Sequence, residues 1–346
     1  MSAHPEPRRE APGLSLGVAL AAALLVLAGC SAKPGATGPA ATETDGPSAT
    51  PAASARGSAA PSPEASGSAD GRIVFIKFDP DKGFYVIHTI RPDGSDSHDP
   101  LPQYPLGFGL VRWSADAQLI AAWSTKTDGF ETIIPPDPNR HHHLYLSDPT
   151  LSLDCAAWSP DGQVLACEGW APTERGREGI YTVRVADGGD LRRLTTTIDG
   201  IHDIPGDYSP DGTKLVFVRA TRTPDLLGEL WVCDADGSGA RKLTDALSGY
   251  RVSWSPDGRW IAGSDAGDLL IFDLQHLSAE PLRITIPGGR STSPRWSPDS
   301  RRLVFEYRPT KTTLTLVYSV DPDGLNFTQL TSGPDDESPD WGEPGF

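Results

Sequence analysis

The sequence predicts an all-β protein, a six-bladed β-propeller of four-stranded antiparallel blades, on three observations. An aromatic-Ser-Pro-Asp-Gly unit recurs at nearly constant spacing. After each copy, short apolar runs and a second Asp-Gly turn come in the same order. The final copy stops after a single strand, and the strands it lacks stand at the start of the repeat region.

The copies are Trp113-Ser-Ala-Asp116-Ala117, Trp158-Ser-Pro-Asp161-Gly162, Tyr208-Ser-Pro-Asp211-Gly212, Trp254-Ser-Pro-Asp257-Gly258 and Trp296-Ser-Pro-Asp299-Ser300, with a degenerate sixth at Trp341. Successive aromatic positions lie 45, 50, 46, 42 and 45 residues apart, the period of one four-stranded blade. Proline presets φ for a turn, Ser and Asp bond neighbouring amides, and Gly takes the left-handed position that closes a three-residue hairpin loop. Ala117 and Ser300 stand in that glycine's place, which predicts another loop or roughly 1 kcal/mol of strain. The aromatic before each turn is expected to fill the space between blades.

The stretch after each unit repeats as well. Beyond Gly212 come apolar runs at 215–218 and 230–233, a turn at 234–238 and a short outer strand at 241–244. The same order recurs at 303–306, 316–319, 321–324 and 329–331. Apolar runs punctuated by Gly, Asp and Pro read as a β-meander. This W-S-P-D-G, strand, D-x-D-G, R-x-L-T pattern resembles the TolB-like, WD40-like (PD40) propeller repeat of bacterial periplasmic proteins, and it runs through nearly all of residues 71–346. The resemblance implies the fold and leaves the activity open. Members such as TolB carry an N-terminal α/β domain where this chain has a low-complexity segment, so their partners are not carried over.

The final unit, Ser338-Pro339-Asp340-Trp341, aligns with Ser293-Pro294-Arg295-Trp296 and lacks the strands that should come after it. Candidates for them stand at 72–78 (RIVFIKF) and 84–88 (FYVIH), with a turn at Pro92-Asp-Gly and a poor outer strand near Leu101. The C-terminal inner strand is therefore expected to join three N-terminal strands in one composite blade. Such a latch removes open sheet edges.

Residues 1–70 stand outside the pattern. An apolar run at 14–27 comes after Arg8 and Arg9 and is shorter than a comfortable membrane span, as in the h-region of a signal peptide. It ends in Leu27-Ala-Gly-Cys30, which resembles the lipobox of bacterial lipoproteins. That resemblance implies a signal peptide over 1–29 and a lipidated Cys30. The protein would then be exported and anchored to the cell membrane, facing the periplasm or the cell exterior. Residues 31–70 hold no aromatic and no large aliphatic side chain, so 30–70 is read as the lipidated cysteine and a disordered tether. The propeller occupies 71–346.

Composition narrows the function. The 36 Gly and 33 Pro suit many short strands. A formal net charge of −16 argues against nucleic acid, and the membrane is reached through the N-terminal lipid alone. No nucleophile elbow, phosphate-binding glycine loop or spaced carboxylate pair marks an enzyme. The chain is read as a monomeric, cofactor-free binding module for an envelope or extracellular protein. The alternatives are a sensor holding a small molecule, glycan or metal in the central channel, and a channel-sited hydrolase or lyase.

The repetitive turns lie on one face of such a ring, so a partner is expected on the other. Irregular loops there carry Tyr104, Phe108, Trp170, Arg175, Arg177, His202, Tyr250 and Arg251. Residues 124–140 read as a long insertion on that face, and 198–205 as a link between blades. His141 and His143 would share one side of a strand and are the candidate metal ligands, short of a third. Cys155 and Cys167 stand nearly opposite in one hairpin, as either a cross-strand disulfide or two buried thiols. Cys233 has no partner evident in the sequence.

Overall fold

The computed structural model describes residues 71–343 except 103–106, 125–128, 135–136, 147, 172–173, 175, 199, 222–227 and 248. The expected signal peptide, Cys30 and tether lie outside the described residues, as do Tyr104 and Arg175.

The described chain begins with a hairpin, β1 (Ile73–Asp79) and β2 (Phe84–Ile90). Four-stranded sheets come next. The first holds β3 (Phe108–Trp113), β4 (Ile120–Ser124), β5 (Gly129–Ile134) and β6 (Asp137–His143). The second holds β7 (Ser152–Trp158), β8 (Val164–Trp170), β9 (Gly179–Arg184) and β10 (Arg192–Arg193). The third holds β11 (Ile201–Tyr208), β12 (Lys214–Thr221), β13 (Gly228–Asp234) and β14 (Arg241–Leu247). The fourth holds β15 (Ser253–Trp254), β16 (Trp260–Asp265), β17 (Asp268–Asp273) and β18 (Leu282–Ile284). In the fifth are β19 (Gly289–Trp296), β20 (Leu303–Pro309), β21 (Leu316–Val320) and β22 (Thr328–Gln329). The last strand, β23 (Asp336–Trp341), runs antiparallel to β1, with Ile73 opposite Trp341 and Lys77 opposite Asp336.

The expectation of six four-stranded blades is thus corrected. Five sheets have four strands, and the sheet joining head to tail has three, in the order β2-β1-β23. Among the described residues no outer strand forms near Leu101. A single bridge links Thr89 to His98, and Leu101 turns inward to pack with Val111 and Ile120. Two further readings are overturned. Residues 124–140 are not an insertion, because they supply β5 and most of β6. Residues 198–205 are only partly a link, since β11 starts at Ile201.

The strands are short apolar runs buried on both sides, as at Leu215, Val216, Phe217 and Val218 of β12. Each sheet is sandwiched by two neighbours, and six apolar clusters fill the six junctions. One cluster sets Val216 and Leu230 against Ile261 and Leu270. The closing ones set Ile73 and Phe75 against Val304 and Val317, and Val74 and Ile76 against Phe108 and Val111.

The repeated turn has one hydrogen-bond design. In each of the five copies the Ser hydroxyl donates to the Asp carboxylate, from Ser114 to Asp116 (2.6 Å) through Ser297 to Asp299 (2.6 Å). The same Asp accepts the amide two residues on, such as Gln163 on Asp161 (3.1 Å). The Ser oxygen accepts the amide that opens the next strand, as from Trp260 to Ser255 (2.9 Å). Ala117 and Ser300 form the same turn with left-handed φ of 52° and 60°. Local contacts offset the strain: the Ala117 methyl is buried in an apolar cluster, and Ser300 Oγ accepts the Asp257 amide of the preceding turn (3.0 Å).

Candidate functional site

Six inner strands bring the six repeat aromatics to one place. Trp113, Trp158, Tyr208, Trp254, Trp296 and Trp341, one from each sheet, line a single open cavity of about 360 Å³. The aromatics are expected only to fill space between sheets, and they do so, five of them nearly buried. They also form the wall of a channel mouth. Exposed Pro160, Pro210 and Pro256 of the repeated turns rim it. Neighbouring turns abut, with Pro160 against Gly212 and Pro210 against Gly258. The turn face, read from sequence as mere structure, therefore carries a concavity walled by the repeat aromatics.

The residues before the aromatics are Arg112, Ala157, Asp207, Ser253, Arg295 and Asp340; Asp207, Ser253, Arg295 and Asp340 line the cavity, whereas Ala157 packs in a junction core. Three of these side chains reach across to the next sheet. Asp207 accepts the Trp254 amide (2.9 Å), Ser253 the Trp296 amide (3.3 Å) and Asp340 the Trp113 amide (2.8 Å). Arg295 spans the floor, pairing with Asp207 through Nη2 and with Asp340 through Nε, both at 2.8 Å. Burial raises the Asp207 carboxyl above its ordinary range, against the pull of Arg295. Burial works against the Arg295 charge too, but the two aspartates outweigh it and hold the guanidinium protonated.

Arg251 approaches Asp154 at 3.5 Å, and Asp154 also feels the charge of Arg112. His202 Nδ1 lies 2.8 Å from Glu168. Arg219 grips Asp203 with two bonds (2.7 and 2.8 Å) and stacks over Trp231.

The loop-face candidates scatter. Phe108 corrects the surface reading: it begins β3 and is buried in the junction core. Tyr250 packs on the cluster of Val252 and Ile261. His202 pairs with Glu168 and Arg251 with Asp154. Arg177 is tied to Asp148, Thr150 and Glu174, and Trp170 ends β8 half-buried. His143 lies edge-on against Tyr145 on the outer strand β6. Among the described residues no three His, Cys, Asp or Glu side chains come together to hold a metal. Cys155 and Cys167 face each other across β7 and β8 and are joined as a disulfide. Burial pushes the Cys233 thiol up to about 12.

The closing strand carries a pH-sensitive group. Burial, with repulsion from Glu306 and Asp335, pushes the Glu337 carboxyl up to about 7, and Arg308 opposes the shift. The unfolded value is 4.5, so the folded protein holds the extra proton between these values and loses stability as pH rises through that window. Glu337→Gln is expected to flatten this loss in urea unfolding measured at pH 5, 6, 7 and 8. An unchanged slope rejects the assignment.

With this geometry, the comparisons are decisive for family. Residues 157–345 match the TolB beta propeller domain. The chain belongs to that family. It is 32% identical over 166 residues to the Tol-Pal system protein TolB of Anaeromyxobacter dehalogenans, covering 46% of this chain and 35% of the relative. The chain thus spans about a third of the length of that curated relative. Among solved structures it is similar to TolB from Acinetobacter baumannii (TM-score 0.61, 20% identity, 80% of this chain and 67% of that one). It also resembles an oligogalacturonate lyase from Vibrio parahaemolyticus (TM-score 0.50, 15% identity, 77% of this chain and 76% of that one). At these identities the solved structures speak for the fold alone.

Proposed function

We propose that this chain is a non-catalytic binding module of the cell envelope that takes a segment of a partner protein at the mouth of its channel. The observation that carries the reading is the mouth itself: a concave, aromatic-walled opening with an exposed proline rim and a charged floor. Aromatic pockets that exclude water are where protein partners gain most of their binding energy. Membership of the TolB propeller family supports an envelope setting. Several ionisable side chains engage one another, Arg295 with two aspartates and His202 with Glu168, which favours a scaffold over a reacting centre. We read the three-stranded sheet as the sixth blade, closed by β23. We further read residues 1–29 as a signal peptide, Cys30 as the lipid-bearing residue and 31–70 as the tether that holds the propeller off the membrane. Trp170 on the opposite face is a second contact candidate.

Co-purification from detergent-solubilised membranes tests this. The full chain should fractionate with membranes and Cys30→Ala should not. Pro210→Glu with Pro256→Glu, which places charge on the exposed rim, should reduce recovered partner about tenfold while the melting temperature stays nearly unchanged. Recovery equal to wild type overturns the mouth as the binding surface.

A further inference from the structure

One buried charge in the channel is left uncompensated by the contacts above. The Arg112 side chain is 3% exposed on average over the residue. Its guanidinium donates one hydrogen bond, from Nη1 to the Val111 carbonyl (2.7 Å), and its Nε meets no acceptor. A guanidinium carries five donors and stays charged, and leaving a charged donor buried and unbonded is costly. The nearby aspartates are occupied: Asp207 and Asp340 bind Arg295 and the Trp254 and Trp113 amides. The burden shows in the Arg112 charge, which burial first and then Arg295 weaken, bringing the group down to about 9.

Two more unbonded atoms lie in the same throat. Arg251 Nη1 and Asp154 Oδ1 are buried without partners, although the two residues meet through their other atoms. Asp154 feels the charges of both Arg251 and Arg112. The Asp154 and Arg251 side chains are also 33% and 23% exposed, so solvent reaches them. The throat therefore offers two cationic donors and one anionic acceptor that the protein does not itself satisfy.

We infer that this throat binds a small hydroxy- or amino-carboxylate, its carboxylate on the Arg112 and Arg251 guanidinium groups and its hydroxyl or ammonium on Asp154. The forked geometry of arginine suits a carboxylate or a phosphate. Charge selects between them. Three aspartates stand near Arg112, and their repulsion penalises a phosphate, which is close to doubly charged at neutral pH, more than a single carboxylate. The free Asp154 oxygen then selects a carboxylate that also bears a donor, because a plain one leaves that oxygen unmet. This inference does not rest on the partner reading of the mouth, and the two can fail independently.

Thermal unfolding of the full chain with L-lactate, glycine, propionate or inorganic phosphate tests the inference. Lactate or glycine should raise the midpoint in a saturable way, with propionate and phosphate at least about tenfold weaker. Arg112→Met should abolish the shift. It should also leave the unliganded midpoint equal or higher, since it removes an uncompensated buried charge. Asp154→Asn should erase the preference for lactate over propionate. The inference is overturned if no carboxylate moves the midpoint, which would mean ordered water alone fills the throat. It is equally overturned if phosphate matches lactate, or if Arg112→Met keeps the shift.

Discussion

A chain cut after residue 337 is expected to lose cooperative unfolding and to elute as aggregate. The deletion removes the half of β23 that pairs with Ile73 and Val74 of β1. It strips Trp341 from the cluster that also contains Phe75, Val304 and Val317. It also takes Asp340 from Arg295 and from the Trp113 amide, and the Gly342 amide from the Arg72 carbonyl. Loss of a buried tryptophan costs about 3–5 kcal/mol, and breaking a buried ion pair on one side costs a similar amount. Their sum approaches the whole stability of an ordinary domain, roughly 5–15 kcal/mol. It also leaves β1, whose Ile73 and Phe75 are fully buried in the intact ring, as an open apolar edge that invites pairing with another chain. Circular dichroism melting and size-exclusion chromatography give the answer. A truncated chain that stays monomeric and melts at the full-length temperature removes the latch.

That latch was legible because two partial repeats at opposite ends of the sequence complement each other. The turns were legible for a related reason: Ser, Pro, Asp and Gly act within five residues, and the hydrogen bonds that the Ser209 hydroxyl and the Thr213 amide donate to Asp211 are local. Strand identity failed where composition misled. Residues 124–140 hold three prolines and several charges, which read as loop, yet the backbone pairs Glu131 with His143 and Ile133 with His141. Phe108 reads from the sequence as an aromatic of an irregular loop, yet it opens β3. The structure shows why Gly109 is there: a Cβ would meet the Trp123 ring at 2.4 Å. The channel was the least visible part, because its members sit about one blade apart in sequence and meet only once the ring closes. One signal existed. When the copies are stacked on their aromatics, the preceding column reads Arg112, Ala157, Asp207, Ser253, Arg295 and Asp340, and charge beside an apolar anchor in an inner strand marks an inward-facing ring.

Arg295→Leu should expose how far the ring depends on that column. Among the described residues the arginine is the one group that pairs with both Asp207 and Asp340 at contact distance, and each aspartate also ties two sheets through a tryptophan amide. Removing it leaves two carboxylates facing each other in the channel without a cation in contact, which costs about 3–5 kcal/mol at pH 7. The same change at Arg192, an exposed residue on the outer strand β10, should cost under about 0.5 kcal/mol. The deficit should shrink in acid. Burial already raises Asp207 while Arg295 opposes the rise, so without the arginine the folded form takes up protons more readily than the unfolded one, and the variant gains stability relative to wild type as pH falls. Adding Asp207→Asn and Asp340→Asn should recover more than half of the loss. The amide oxygens still accept the Trp254 and Trp113 amides, and no charge is left to desolvate. Urea unfolding of the three proteins at pH 5 and pH 7 measures all of this. A single variant as stable as the Arg192 control, or a deficit that grows in acid, shows that the aspartates hold the sheets together without their arginine.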